Sequence, residues 1–206
     1  MQKYCNIVKS KLHSLIRSME KNVSYFVVDP KRDFVRKSEL SFSKTMKFIL
    51  GMGSQTLGKE LMEFYDFNPK MVSVSAIVQR RSKILPAAFQ YLFHKFNNEF
   101  SQTNFFHGYR LYAVDGSDIH IPTIPDDKET FYRANDDSKG YNLMHLNALY
   151  DLMNRRYIDA VLQDSRNENE HSALISMAKN VKWIQLSLLT EDMKRTIILL
   201  TLKIMA

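Results

Sequence analysis

The sequence predicts an α+β fold in which a helical amino-terminal region precedes a β-rich segment closed by a further helix. Apolar residues recur at helical spacing through much of the first hundred positions. At Arg110 the pattern switches to short apolar and alternating runs, and a last helical stretch follows two strands joined by a tight turn.

The elements follow in chain order. Ser41 or Ser43 can cap a helix carrying Phe42, Met46, Ile49 and Leu50 on one face, with Gly51 and Gly53 as its stop. Ser54 can cap the next, where Leu57, Leu61, Phe64 and Tyr65 recur. Ser73 or Ser75 opens a third with Ala76, Ile77, Arg80, Arg81 and Ile84. Pro86 suits a first helical position and begins a fourth, with Phe89, Leu92, Phe93, Phe96 and Phe100 inward. Leu111–Val114 is a short buried strand that ends at Asp115-Gly116-Ser117-Asp118. Residues Asn142–Leu152 and Arg156–Gln163 are two strands turning at Asn154-Arg155. Asn167 or Asn169 caps a helix to about Lys179, with Leu174, Ile175 and Ala178 apolar.

The composition is that of a globular chain: 45% hydrophobic and 25% charged residues argue against disorder. A net charge of +7 is compatible with a polyanionic partner, because Lys and Arg that neutralise phosphates release condensed counterions. Between Phe67 and Arg110 there are six basic residues (Lys70, Arg80, Arg81, Lys83, Lys95, Arg110) against one acid, Glu99. Arg80, Arg81 and Lys83 are the candidate phosphate contacts, with a solvated helix face as the competing reading. The single cysteine, Cys5, excludes an intrachain disulfide and fits a reducing compartment. No apolar run approaches the roughly 20 residues of a membrane span, and the first residues lack a signal-peptide core, so the expected location is cytoplasmic.

The segment Ala113–Pro122, AVDGSDIHIP, is the sharpest local feature. A carboxylate at the end of a buried strand is held rigidly enough to share a divalent cation with other carboxylates. Metal-assisted phosphoryl transfer needs that rigidity, with two cations roughly 3.5–4 Å apart. Gly116 allows a close backbone approach beside Asp115. The competing reading is an Asx-type turn in which Asp115 or Asp118 bonds only backbone amides. His107, His120, His145 and His171 show no ligand-pair spacing, and Glu168 and Glu170 suit a helix start through the dipole alone.

Taken together, AVDGSDIHIP, the hairpin NLMHLNALYDLMNRRYIDAVLQD and the helix NENEHSAL resemble the start of the catalytic domain of bacterial insertion-sequence transposases of the DDE type. Upstream, RKSELSFSKTMKFILGMGSQTLGKEL and VSVSAIVQRRSKILPAAFQYLFHKFN resemble the helical DNA-binding region of the same family, so the likeness spans roughly residues 30–180. The resemblance implies an organisation of three parts. Residues 1–108 would be a helical DNA-binding region, 109–180 the first part of an RNase H-like catalytic core, and 181–206 an out-of-frame tail. It also implies that Asp115 is the first catalytic aspartate and a Mg²⁺ ligand, with weak or absent Mg²⁺ binding expected here because one carboxylate of three is present. The implied partners are the DNA ends of the element, with a second copy of the chain or a full-length transposase beside it.

The chain departs from the family after Lys179. The second aspartate belongs in an Ala-Asp-Arg-Gly-Tyr segment and the glutamate in a Tyr-Arg-Glu-Lys signature, and neither occurs here. Back-translated with suitable synonymous codons and read one base earlier, Leu188–Lys194 spells Ile-Ala-Asp-Arg-Gly-Tyr-Glu. The expectation is a one-base frameshift near Asn180–Trp183 that leaves Leu186–Ala206 out of frame, with Ile197–Leu200 forming an ad hoc helix or strand against an exposed sheet. A catalytically inactive, truncated transposase follows. A DNA-binding module that inhibits transposition and a decayed reading frame stand as the alternatives.

Overall fold

The computed structural model describes residues 2–101, 103–133, 135, 138–180 and 198–203. The fold is mixed α+β, and it divides into two compact units, Met1–Phe100 and Ser101–Ala206. Most of the tail beyond Asn180, with the expected frameshift point and the shifted aspartate motif, lies outside the described residues.

The first unit is helical. It begins with α1 (Gln2–Lys21), a long helix whose Ile16 and Met19 are buried. Next come α2 (Phe42–Gly51), α3 (Leu57–Phe64), α4 (Val74–Arg81) and α5 (Pro86–Asn98). Ser41 caps α2 by accepting the Lys44 amide at 3.3 Å, and Ser73 caps α4 by accepting the Ala76 amide at 3.2 Å. The expected cap at Ser54 is displaced to Thr56, whose side chain makes no cap bond. The buried Glu60 ties down that entry instead, accepting the Gly53 and Gln55 amides, each at 2.9 Å. Ile16, Met19, Phe42, Met46, Ala88 and Leu92 form one core, and Leu40, Phe48, Leu61 and Ile77 a second.

The second unit is an antiparallel sheet with one helix on it. Its strands are β1 (Tyr109–Ile121), β2 (Phe131–Tyr132), β3 (Tyr141–Asp151), β4 (Arg156–Asp164) and β5 (Ile198–Lys203), with α6 (Glu170–Asn180) between the last two. β3 lies between β1 on one edge and β4 and the short β2 on the other. β5 runs antiparallel along the free edge of β1, pairing Val114 with Ile198 through to Tyr109 with Lys203. Part of the tail therefore does form a strand against the sheet.

Two local expectations change. β1 does not stop at Val114 but continues through Asp115-Gly116-Ser117-Asp118 to Ile121, because every residue from Tyr112 to Ile121 has a β3 partner. Ladder bonding overrides the turn tendency of the Asp-Gly and Ser-Asp pairs, which is a local preference worth less than a run of cross-strand pairs. Ile175 is exposed at 56%, and the buried face of α6 is Ala173, Leu174 and Met177. These three pack on Tyr112, Val114 and Leu149, with Ile158 and Val161 alongside. Asn169 caps α6 through the Ser172 amide at 2.9 Å. The β3–β4 turn is held by the buried Asp151, whose carboxylate accepts from the amides of Met153 and Asn154 and from the Asn154 side chain.

Candidate metal centre

Strand alternation decides which carboxylates of β1 can meet. Side chains of a strand point to opposite faces at successive positions, so Tyr112, Val114, Gly116 and Asp118 share one face. Tyr112 and Val114 lie against α6, which fixes that face as the helix-covered one. Asp115 is one step out of phase and stands on the other. Its carboxylate accepts the Gly116 amide at 3.1 Å, and the side chain is exposed. Asp118 is three positions on, and it turns toward α6.

The register completes the arrangement. Asp118 pairs with His145 and Gly116 with Asn147 across β1 and β3, while Gln163 of β4 pairs with His145 from the other edge. The chain leaving β4 makes a single turn, Ser165–Asn167, which is pinned from two sides. Ser165 donates its hydroxyl to the Leu143 carbonyl at 2.8 Å, and Arg166 donates to the Phe131 carbonyl at 2.7 Å while lying over the Tyr132 ring. That turn delivers Glu168 above His145, immediately before the Asn169 cap of α6.

His145 Nδ1 therefore faces two carboxylates, Asp118 Oδ1 at 2.9 Å and Glu168 Oε2 at 3.2 Å. One donor atom from each of the three residues lies within 4.8 Å of the other two, the one such group of three among the described residues. The His145 side chain is 11% exposed, whereas the two carboxylate side chains are about half open to solvent. On the far side of the ring, His145 Nε2 is buried without a hydrogen-bond partner, and so is Asn147 Oδ1. Both crowd the space above Gly116: a Cβ placed there would lie 2.5 Å from Nε2 and 3.4 Å from that Oδ1.

An outer set of bonds links these groups to the helix start. Asn147 donates its side-chain amide to Gln163 Oε1 at 3.0 Å. That oxygen also accepts the Asn169 backbone amide at 3.2 Å, and Gln163 donates back to the Asn169 carbonyl at 3.3 Å. The residue next to Glu168 is thus fastened to the strand beside His145.

No family model, curated protein or solved structure matches this chain.

Of the residues singled out from the sequence, Asp115 is not a member of the three-residue group. The three basic residues of the α4 region have separate fates. Arg80 donates to Ser38 Oγ at 2.9 Å and lies over the Phe34 ring, Lys83 pairs with the buried Asp33 at 3.1 Å, and Arg81 is exposed. A different basic cluster surrounds His13 on α1. Burial, reinforced by the cations of Lys47, Lys9 and Arg17, holds its imidazole below the usual histidine value.

Asp118, His145 and Glu168 were weak candidates by spacing alone. The missing information is the β1–β3 register, since residues 27 positions apart meet only once the ladder is set.

Proposed function

We propose that this chain is the leading part of a DDE-type transposase, which binds DNA through its helical unit and does not cut it. The observation that carries this reading is the segregation of charge. Met1–Phe100 holds seventeen Lys and Arg against eight Asp and Glu, a net +9, whereas the second unit has twelve against fourteen, a net −2. The whole positive excess lies in the unit whose sequence resembles the family's DNA-binding region, and phosphate neutralisation is what such an excess is suited to. The cations around His13 add a local concentration of it.

The order of elements agrees with the resemblance as well. An antiparallel β1–β3–β4 meander carrying the Asp-Gly-Ser motif is followed directly by a helix lying on the sheet. Neither the Ala-Asp-Arg-Gly-Tyr segment nor the Tyr-Arg-Glu-Lys signature occurs in this sequence, so on this reading the cleavage half of the family's chemistry is silent and the chain acts as a DNA-binding competitor of an intact transposase.

The test is fluorescence anisotropy with duplex carrying the inverted repeats that flank the gene, beside a supercoiled-plasmid nicking assay in Mg²⁺. The expected result is saturable binding that weakens steeply with salt, with no nicking above background. Absence of DNA binding at low ionic strength overturns the proposal, and so does Mg²⁺-dependent nicking that Asp115→Ala abolishes.

A further inference from the structure

We infer that Asp118, His145 and Glu168 form a binding site for one divalent transition cation of the zinc type, on the sheet face opposite Asp115. The inference uses neither the family resemblance nor the DNA-binding reading.

Proton counting at His145 favours a cation. A neutral imidazole carries one N–H. Placed on Nδ1, it can be donated well to only one of the two carboxylates, and the buried Nε2 keeps an unused lone pair. Placed on Nε2, it leaves the Nδ1 lone pair facing two carboxylate oxygens. A doubly protonated ring keeps its charge beside the two carboxylates and, like a metal-bound ring, needs an acceptor at Nε2. The neutral ring strands a polar group on one side or the other, which burial makes costly. A divalent cation between Nδ1 and the two oxygens removes the conflict, since all three atoms then donate lone pairs to one charge.

The donor separations suit a small divalent ion. Metal–donor bonds of 2.0–2.2 Å in a tetrahedral shell put neighbouring donor atoms roughly 3.3 Å apart. The separations from Nδ1 are 2.9 and 3.2 Å, so a few tenths of an ångström of expansion admits the ion. The two carboxylates are half open to solvent, which leaves room for water in the remaining position.

The groups behind the ring suit ligation as well. A ligating histidine almost always donates its other ring N–H to a fixed acceptor, which sets the tautomer. Asn147 Oδ1 is the atom placed to become that acceptor: it is buried and gathered with Nε2 over Gly116, neither atom is hydrogen-bonded in this structure, and its own amide nitrogen is held by Gln163. Ligation at Nδ1 fixes the ring proton on Nε2, which makes the two atoms complementary. An imidazole with two carboxylates suits zinc, cobalt and manganese better than magnesium or calcium, which prefer all-oxygen shells.

The experiment is calorimetric titration of the full chain with ZnCl2, CoCl2, MnCl2 and MgCl2, with Co²⁺ visible absorption as a report on geometry. The expected result is one-to-one uptake in the order zinc, cobalt, manganese, with magnesium weakest. Glu168→Gln and Asp118→Asn should each weaken zinc by about ten-fold or more with circular dichroism unchanged. Glu168 lies in an exposed segment outside the sheet, so its variant decides the matter if Asp118→Asn fails to fold. Lack of saturable one-to-one zinc uptake overturns the inference, as does uptake that Glu168→Gln leaves unaltered. DNA binding is not part of the readout, so this result and the transposase proposal can fail separately.

Discussion

Replacing Gly116 by alanine adds a single methyl group at a crowded point of the β1–β3 ladder, and its effect can be worked out from the surroundings. The new carbon would stand 2.5 Å from His145 Nε2, 2.9 Å from Cε1 and 3.4 Å from Asn147 Oδ1. Ordinary carbon contacts begin near 3.5 Å, so the ring must withdraw by about 1 Å. A ring at the tip of a free side chain would do so cheaply. This one is 11% exposed, and its Nδ1 is held between Asp118 and Glu168, so the strain reaches those partners or the strand pairing itself.

Overpacking of this kind costs roughly 1–3 kcal/mol. The reduced backbone freedom of alanine in the unfolded chain returns about 0.4–1 kcal/mol. The net loss is about 1–2 kcal/mol, which in a unit of this size lowers the melting temperature by several degrees. Ring displacement also moves Nδ1 away from the carboxylates, so zinc affinity should drop in the same variant. Thermal denaturation and zinc calorimetry of Gly116→Ala provide the assay. A variant that melts no lower than the parent and binds zinc equally well would refute the account of how glycine seats the imidazole.

Two further outcomes concern the helical unit. Burial pushes the Asp33 carboxyl up, but its bond from the Asp29 amide and the Lys83 ammonium more than offset this and hold it below the usual carboxylate value. Its stabilisation is therefore present at neutral pH and lost as pH falls through the lowered value. Lys83→Ala should cost about 1 kcal/mol at pH 7, discounted because the ammonium is 41% exposed, and should flatten the acid limb of the stability profile; unchanged urea midpoints would count against it. The His13 imidazole, held low by burial and by Lys47, Lys9 and Arg17, should titrate below 6.5 by NMR. Its contribution to stability is accordingly complete above 6.5 and declines as pH falls toward the folded value. Bound duplex DNA should raise that pKa, because phosphates offset the three cations. A His13 titration that saturating DNA leaves in place would put the contact face elsewhere.

The α+β class and most helix starts could be read from the sequence because their causes are local. Ser41, Ser73, Pro86 and Asn169 act through neighbours within a few residues, and each begins its helix as expected. The β3–β4 hairpin was legible for the same reason, with Asp151 and Asn154 closing a short turn. The continuation of β1 through Asp115–Asp118 was not, because those residues favour a turn until a partner strand satisfies their backbone groups. The ligand group was hidden by the same circumstance. Its three members come from β1, β3 and the segment before α6, and only register and a pinned turn bring them together. Gly116 showed its need for close approach in the sequence, though not that the approaching group would be the His145 ring.

A three-residue interval separates two chemistries on β1. Asp115 and Asp118 lie about 10 Å apart along an extended strand, and the odd spacing sends them to opposite faces. No single cation can be shared between them while the strand holds its pairing with β3, which runs from Tyr112 to Ile121 without a bulge. Zinc bound at Asp118 therefore cannot stand in for the magnesium that the family resemblance assigns to Asp115. The converse also holds: whatever carboxylates would complete a cleavage centre at Asp115 must approach the face that α6 does not cover. A chain that binds zinc and fails to cut DNA is consistent with both readings, and a slip of the β1 register by an odd number of residues would not unite them, because it exchanges the faces of Asp115 and Asp118 and takes Asp118 away from His145.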